Sequence, residues 1–145
     1  MPAGLLTNEG IGQQIDNILR TPISGQLPWS MIFFTNDIVP DFDTVLADLT
    51  EATFGGYTRL TLTRSVWTSP VIADGCAHST WGTDAVIWTV TSGPLETIYG
   101  YAFIDVLGGL IRFVQRYDDA DILPLTIGTK ITLLPQYTLT SAECA

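Results

Sequence analysis

Six residues, WSMIFF at Trp29–Phe34, decide the fold of this chain. All of them except Ser30 are apolar, so a strand built from them presents apolar side chains on both of its faces. Such a strand is suited to the middle of a β-sandwich, where both faces are covered. The stretch therefore predicts a central β-strand.

The segments that follow this strand have the period of two that β-strands show. In Tyr57–Arg64, for example, Leu60 and Leu62 point one way while Thr61 points the other. Further strands are predicted over Trp67–Ile72, Asp84–Thr91, Glu96–Asp105, Leu110–Tyr117 and Lys130–Leu139. Seven or so short strands with no alternating long helices predict an all-β fold, an antiparallel, jelly-roll-like β-sandwich.

Two segments depart from this period. Residues 1–28 are predicted to form a short N-terminal helix or an extended arm, outside the β-sandwich domain at 29–145. Within them Ile11, Ile15 and Ile18 recur at helical spacing and form an apolar stripe, a candidate contact with another subunit or partner.

The second segment that departs from the period of two is Thr44–Ala52, which is predicted to contain one or two helical turns. Its apolar residues Val45, Leu46 and Leu49 are expected to face inward. The preceding residues, Asn36–Asp43, are rich in turn formers.

The composition narrows the possible functions. Charged residues are only 14% of the 145, against about a quarter in typical soluble domains. The 15 acidic residues outnumber the 6 Lys and Arg, which gives a net charge of −9. Binding to nucleic acid or to anionic membranes needs clustered cations and is not expected. The 20 threonines explain part of the low charge, because they keep a strand face polar without it.

No targeting or membrane segment is predicted. The N-terminus has neither a basic start nor a long apolar run, so it is not a secretory signal. The most apolar stretch, Tyr99–Val114, contains Asp105 and Arg112 and is too short to cross a bilayer. We expect a soluble protein that is made in the cytoplasm.

Cysteine and histidine are scarce. Two cysteines, Cys76 and Cys144, and one histidine, His78, are too few for a zinc site or a disulfide framework. Two free thiols are expected, with a single disulfide as the alternative. Cys76 and His78 are only two positions apart, which is an awkward geometry for a nucleophile and its base.

The acidic residues give only weak indications of metal binding or of catalysis. Asp41 and Asp43, and likewise Asp118 and Asp121, have the spacing of calcium ligands, but neither group has the Gly and Glu of a calcium loop. Solvated acidic turns are the commoner outcome. A pair of facing carboxylates would suit a glycosidase, and nothing singles one out. The chain is therefore predicted not to be an enzyme and to need no metal or cofactor.

The four tryptophans leave one further possibility open. Exposed on a sheet face, a tryptophan can stack on a sugar ring, whereas a buried one fills the core. Burial is the commoner outcome in a sandwich. Trp81, beside Gly82 in a predicted turn, is the best candidate for an exposed contact.

One long segment, FFTNDIVPDFDTVLADLTEATFGGY, resembles a segment of small structural proteins encoded by tailed bacteriophages. The matching residues are Asn36, Asp37, Pro40, Asp41, Asp43, Thr44, Leu46, Ala47, Asp48, Thr50, Glu51, Ala52, Gly56 and Tyr57. The later stretches IYGYAFID and ITLLPQYTL are similar to such proteins too. The resemblance covers about residues 29–140.

This resemblance implies a structural virion protein, in the first place a capsid cement (decoration) protein. Proteins of that kind bind the outside of the phage head, often as trimers. The implied partners are the major capsid protein and further copies of this chain, and the implied location is the exterior of the capsid. The alternative is a tail, fibre or neck component that binds a carbohydrate or a receptor.

Overall fold

The computed structural model describes residue 18 and residues 28–73, 76–105 and 109–140. In these ranges the regular structure is almost entirely strand, which confirms the all-β class. Single-turn 3₁₀ helices occur at Leu46–Asp48 and Arg64–Val66. The strands are β1 (Trp29–Phe34), β2 (Leu60–Leu62), β3 (Val71–Ala73), β4 (Cys76–Thr80), β5 (Val86–Thr89), β6 (Thr97–Ile98), β7 (Gly100–Asp105), β8 (Leu110–Arg116), β9 (Leu123–Pro124), β10 (Lys130–Leu133) and β11 (Gln136–Thr140).

The strands form several sheets. A four-stranded sheet has the order β2-β1-β7-β8 and is antiparallel throughout. The other sheets are β11-β4-β3, β10-β5 and β6-β9. The more specific expectation of a jelly-roll-like sandwich stays a prediction.

The chain contacts define two compact units. The larger unit consists of Leu27–Leu62 and Val86–Thr132. Among the described residues, the smaller unit consists of Ile18 and of residues 63–73, 76–85 and 133–140. The predicted helix or arm over residues 1–28, including Ile11 and Ile15, lies outside the described residues except for Ile18 and Pro28.

Strands β1 and β7 are the centre of the larger unit. They pair along their whole length, from Trp29 opposite Asp105 to Phe34 opposite Gly100. Side chains alternate between the two faces, and both faces of this pair are apolar and buried. The sequence prediction for Trp29–Phe34 is therefore confirmed.

The first face of this sheet carries aromatic side chains. Phe33 of β1 packs edge-on against Trp88 of β5, with ring centroids 4.8 Å apart. The Trp88 indole N–H donates a hydrogen bond to the Thr58 carbonyl at 3.1 Å, so its polar atom is satisfied although the residue is buried. Phe103 of β7 stacks on Phe113 of β8 at 5.2 Å on the same face.

The second face is covered by the chain that follows β1. Leu49 is buried in one cluster with Ile32 and Phe34 of β1 and with Ala102 and Ile104 of β7. Two more apolar side chains of the same connection pack against this cluster, those of Ile38 and Leu46. We call residues 35–50 the 35–50 loop. Because it covers the second face of the sheet, this connection is part of the core.

The edge strand β8 departs from the alternation expected for Leu110–Tyr117. Phe103 pairs with Phe113, but the next residue, Ile104, pairs with Ile111, so Arg112 is the extra residue of a β-bulge. Unbroken alternation over Leu110–Tyr117 would place Ile111 and Phe113 on one face, but the bulge places them on opposite faces. Arg112 forms an ion pair with Asp105 at 2.9 Å.

The smaller unit contains a strand that the sequence did not indicate. Cys76–Thr80 looks like a polar loop, yet it forms β4 and pairs with both β3 and β11. The predicted single strand Lys130–Leu139 is two strands, because β10 pairs with β5 and β11 pairs with β4. The break contains Pro135, whose carbonyl accepts a hydrogen bond from the Trp81 N–H at 2.8 Å.

Gly100 is a position where only a glycine fits between the central strands. A Cβ atom there would meet the Gln115 carbonyl oxygen and would lie 2.6 Å from Cζ of the Phe34 ring. Phe34 is fully buried and has no room to move. We expect Gly100→Ala to lower the free energy of unfolding, measured by urea denaturation, by about 3 kcal/mol.

Gly128→Ala is the matched control for this prediction. A Cβ atom at Gly128 meets nothing within 4 Å, although its φ is +92°. Backbone strain alone should lower the free energy of unfolding by about 1 kcal/mol in this variant. Equal losses in the two variants would contradict the close packing of Phe34 on Gly100.

Candidate functional site

The base of the 35–50 loop is closed by hydrogen bonds between its two ends. The Thr35 N–H donates to the Thr50 carbonyl at 2.8 Å. The Asn36 side chain donates to the Asp48 carbonyl and accepts from the Thr50 N–H, both at 2.8 Å. The amide side chain of Asn36 thus joins the start and the end of the loop, in the way that a backbone pair joins two strands.

The tip of the loop is a turn over residues 41–44. The Asp41 carboxylate accepts hydrogen bonds from the Asp43 N–H and the Thr44 hydroxyl, both at 3.0 Å. The Thr44 hydroxyl accepts one from the Asp41 N–H at 2.8 Å, and the Thr44 N–H donates to the Asp41 carbonyl at 3.2 Å. Asp and Thr favour turns because their short side chains bond the neighbouring backbone in this manner.

A single 3₁₀ turn follows the tip. The Asp48 carboxylate accepts a hydrogen bond from the Val45 N–H at 2.9 Å, and the Asp48 N–H returns one to the Val45 carbonyl. Leu46 and Leu49 face the core, as predicted. Val45 does not, because it is 55% exposed. The prediction for Val45 assumed helical periodicity, which a single 3₁₀ turn does not keep.

The loop presents Phe42 to solvent. All aromatic residues of the chain lie in the described ranges, and Phe42 is the one that is exposed. Val39 and Val45, on either side of it along the chain, are exposed as well. An exposed aromatic side chain on a hydrogen-bonded backbone is a candidate for contact with a partner, because aromatic residues are enriched in protein interfaces. The sequence reasoning missed Phe42, and the only signal for it was its place inside a Pro-Asp-x-Asp-Thr turn.

The acidic turns that contain the residues considered for calcium make contacts within the protein. The Arg116 guanidinium binds Asp37 at 2.7 Å and Asp119 at 3.0 Å, so one cation joins the two acidic turns. The Asp41 carboxylate is part of the turn described above, and the Asp118 carbonyl accepts the Asp121 N–H at 2.8 Å. In the described part of the chain, no three His, Cys, Asp or Glu residues lie together in an arrangement that could hold a metal ion. Asp43 is therefore not part of such a group either.

A second arginine fixes the point where the loop returns to the sheet. Glu51 forms an isolated β-bridge with Phe34. Its carboxylate accepts hydrogen bonds from Nε and Nη2 of Arg59, both at 2.7 Å. The Tyr57 hydroxyl donates to the same carboxylate at 2.8 Å. The Tyr57 ring packs against Phe54, with centroids 5.4 Å apart, and burial raises the pKa of its hydroxyl. This group fixes the end of the loop to the core.

The predicted contact residues Ile18 and Trp81 lie in the smaller unit and not on this loop. The Ile18 carbonyl accepts a hydrogen bond from Arg64 at 2.7 Å. Trp81 is half-buried, and its indole N–H donates to the Thr63 carbonyl at 3.1 Å. Trp67 and Trp88 are buried and Trp29 is half-buried, so none of the four tryptophans is fully exposed.

Cys76 and His78 do not form a catalytic pair. Cys76 is buried and disulfide-bonded, so the expectation of two free thiols is wrong; Cys144, the other cysteine, lies outside the described residues. A disulfide sulfur has no thiolate with which to attack a substrate. His78 pairs across the strands with Thr138, and its Nδ1 lies 2.9 Å from the Thr138 hydroxyl.

Comparison of the chain with protein-family models, with curated proteins and with solved structures gives no match. Among the described residues, no helix has both the length and the apolar character needed to cross a membrane.

The Glu51 carboxylate makes a pH-dependent contribution to stability. Its hydrogen bonds to Arg59, partly opposed by burial, lower the pKa of Glu51 below its usual 4.5. Such a group stabilises the fold above its unfolded-state pKa, and this contribution is lost as the pH falls through the lower folded-state value. Because Arg59 is 47% exposed, solvent screens the pair.

We expect Glu51→Gln to lower the free energy of unfolding by about 1 kcal/mol near neutral pH. The difference from the wild type should vanish as the pH falls well below 4.5. Chemical denaturation over a pH series measures both quantities. Asp84→Asn, which removes an exposed carboxylate, is the control and should change stability by less than about 0.5 kcal/mol. A Glu51→Gln difference that is the same at every pH would contradict the role of the ion pair.

Proposed function

We propose that this chain is a non-enzymatic structural protein of a bacteriophage virion, a capsid cement protein that binds the outer surface of the head as a homotrimer and stabilises it. The observation that carries the proposal is that the segment resembling phage structural proteins presents Val39, Phe42 and Val45 to solvent. An ordered loop with exposed apolar side chains is suited to binding another protein.

The charge of the chain supports a position outside the shell. A subunit with a net charge of −9 is repelled by packaged DNA. The DNA inside the head carries one negative charge per about 1.7 Å of helix axis, so an interior position is unfavourable. The outer surface of the shell imposes no such repulsion.

A protein of this kind acts by mass action. It binds the assembled shell and not the free capsid subunits, so its binding free energy adds to the stability of the assembly. A standard interface buries about 800 Å² on each partner. Apolar residues at the centre of the interface provide most of the binding free energy.

The alternative of a tail, fibre or neck protein that binds carbohydrate has less support. It relied on an exposed tryptophan, and Trp81 is half-buried with its N–H bound to the Thr63 carbonyl. A role as a thiol hydrolase has less support still, because Cys76 is disulfide-bonded.

Shells from a phage that lacks the gene provide the test. The purified protein should co-sediment with these shells, saturate at a fixed number of copies per particle and raise the temperature at which they disrupt. At a free concentration of about 100 times Kd, each occupied site adds about 2.7 kcal/mol to the assembled state. Calorimetry of the shells with and without the protein measures this effect.

Wild-type particles are the control, because their sites are already occupied and should take up no further protein. Absence of co-sedimentation with the gene-deleted shells would contradict the proposal. Binding that leaves their disruption temperature unchanged would contradict the stabilising role.

A further inference from the structure

Phe42 has the properties of an anchor residue in a protein interface. Anchors are large side chains, enriched in aromatics, that enter a desolvated pocket on the partner and account for much of the binding free energy. Phe42 is fully exposed, so its whole ring area is available for burial. Val39 and Val45 can extend the apolar contact on either side along the chain.

The backbone that presents Phe42 is already ordered. The turn over residues 41–44 is closed by the hydrogen bonds between Asp41 and Thr44, and the loop is fixed to the core through Ile38, Leu46 and Leu49. Binding therefore does not have to offset the conformational entropy of ordering the loop, which otherwise weakens association.

The surroundings of Phe42 are acidic. Asp41 and Asp43 flank it directly, and Asp37 and Asp48 belong to the same loop. The one arginine bound to this loop in the described part of the chain, Arg116, is mostly buried and faces the carboxylates of Asp37 and Asp119. A partner surface with positive charge around an apolar pocket complements this arrangement.

The described residues of a second copy of this chain do not offer such a surface. The 35–50 loop of each copy is acidic, so two of these loops would repel each other if they met. Of the cations in the described part of the chain, three are held in ion pairs with its own carboxylates, namely Arg59, Arg112 and Arg116. Arg64 donates to the Ile18 carbonyl, and Lys130 is a single exposed residue, so no cluster of cations is offered there. The partner of the loop is therefore a different protein.

We propose that Phe42 inserts into an apolar pocket of a different protein, and that Arg or Lys side chains at the rim of that pocket face Asp41 and Asp43. This inference rests on the proposed function, in which the different protein is the shell subunit. It assigns the shell contact to the 35–50 loop and leaves the contacts between the copies of the homotrimer to other surfaces.

Four variants test this inference, with gene-deleted shells as the probe and co-sedimentation as the measurement. Phe42→Ala should weaken binding by about 30-fold or more, as loss of an anchor does. Asp43→Lys should weaken it by about 10-fold at low salt and by less at high salt. Asp41→Ala keeps Phe42 but removes the acceptor of the turn, and should weaken binding by about 3- to 10-fold. The matched control Ile127→Ala, at another exposed apolar residue, should bind like the wild type.

Folding of the variants is checked by thermal unfolding without shells. Because Phe42 is fully exposed, Phe42→Ala should melt within about a degree or two of the wild type. Sedimentation velocity of the free proteins should give the same oligomeric state for Phe42→Ala and the wild type.

The outcomes separate this inference from the proposed function. If the wild type binds the shells and Phe42→Ala binds equally well, the inference is overturned and the proposed function stands. If the wild type does not bind, both are overturned. If Phe42→Ala weakens binding to the shells but neither Asp43→Lys nor salt changes it, the proposal of basic side chains at the rim of the pocket is overturned. Dissociation of the free oligomer in Phe42→Ala would make a second copy the partner and would also overturn the inference.

Discussion

A sheet whose central strands are apolar on both faces must be covered on both faces, and this constraint determines the larger unit. Strands β1 and β7 have no solvent face: Ile32, Phe33, Ala102 and Phe103 are all fully buried. Trp88 and its neighbours cover one side. The other side has to be covered by the chain that leaves β1, and this requirement turns a connection into a structural element.

The same requirement explains why the 35–50 loop exposes apolar residues. A short segment that lies flat on a sheet has an inner and an outer surface. Ile38, Leu46 and Leu49 occupy the inner surface and anchor the segment to the core. Phe42 and Val45 are left on the outer surface, where side-chain hydrogen bonds to the backbone fix their positions. Burial of one side thus provides the rigid support for the other, which is the arrangement that a preformed binding loop needs.

The sequence predicted those parts of the fold that depend on local pattern. Trp29–Phe34 was predicted because an uninterrupted apolar run is visible without knowing its neighbours. Cys76–Thr80 was missed because its small polar residues resemble a turn, and its stability comes from pairing with β11, some sixty residues further along the chain. The bulge at Arg112 also follows from pairing with another strand, which local alternation does not reveal.

The candidate site was harder to predict for a similar reason. Hydrophobicity alone places Phe42 and Val45 inside, and only the turn at Asp41 directs them outward. The acidic turns looked like separate metal loops because their shared cation, Arg116, is 79 residues from Asp37 in sequence. The sequence pattern therefore did not predict the direction of the side chains in this segment.

Amide hydrogen exchange in the 35–50 loop tests the central claim most directly. Four of its amides, those of Asp41, Asp43, Val45 and Thr50, donate to side chains of the loop itself, although all four residues are exposed. If the loop is a rigid cover of the sheet, these amides should exchange at least about 100-fold more slowly than in an unstructured peptide. Exchange at the rate of an unstructured peptide would contradict the account, because it would mean that Phe42 is carried by a mobile segment.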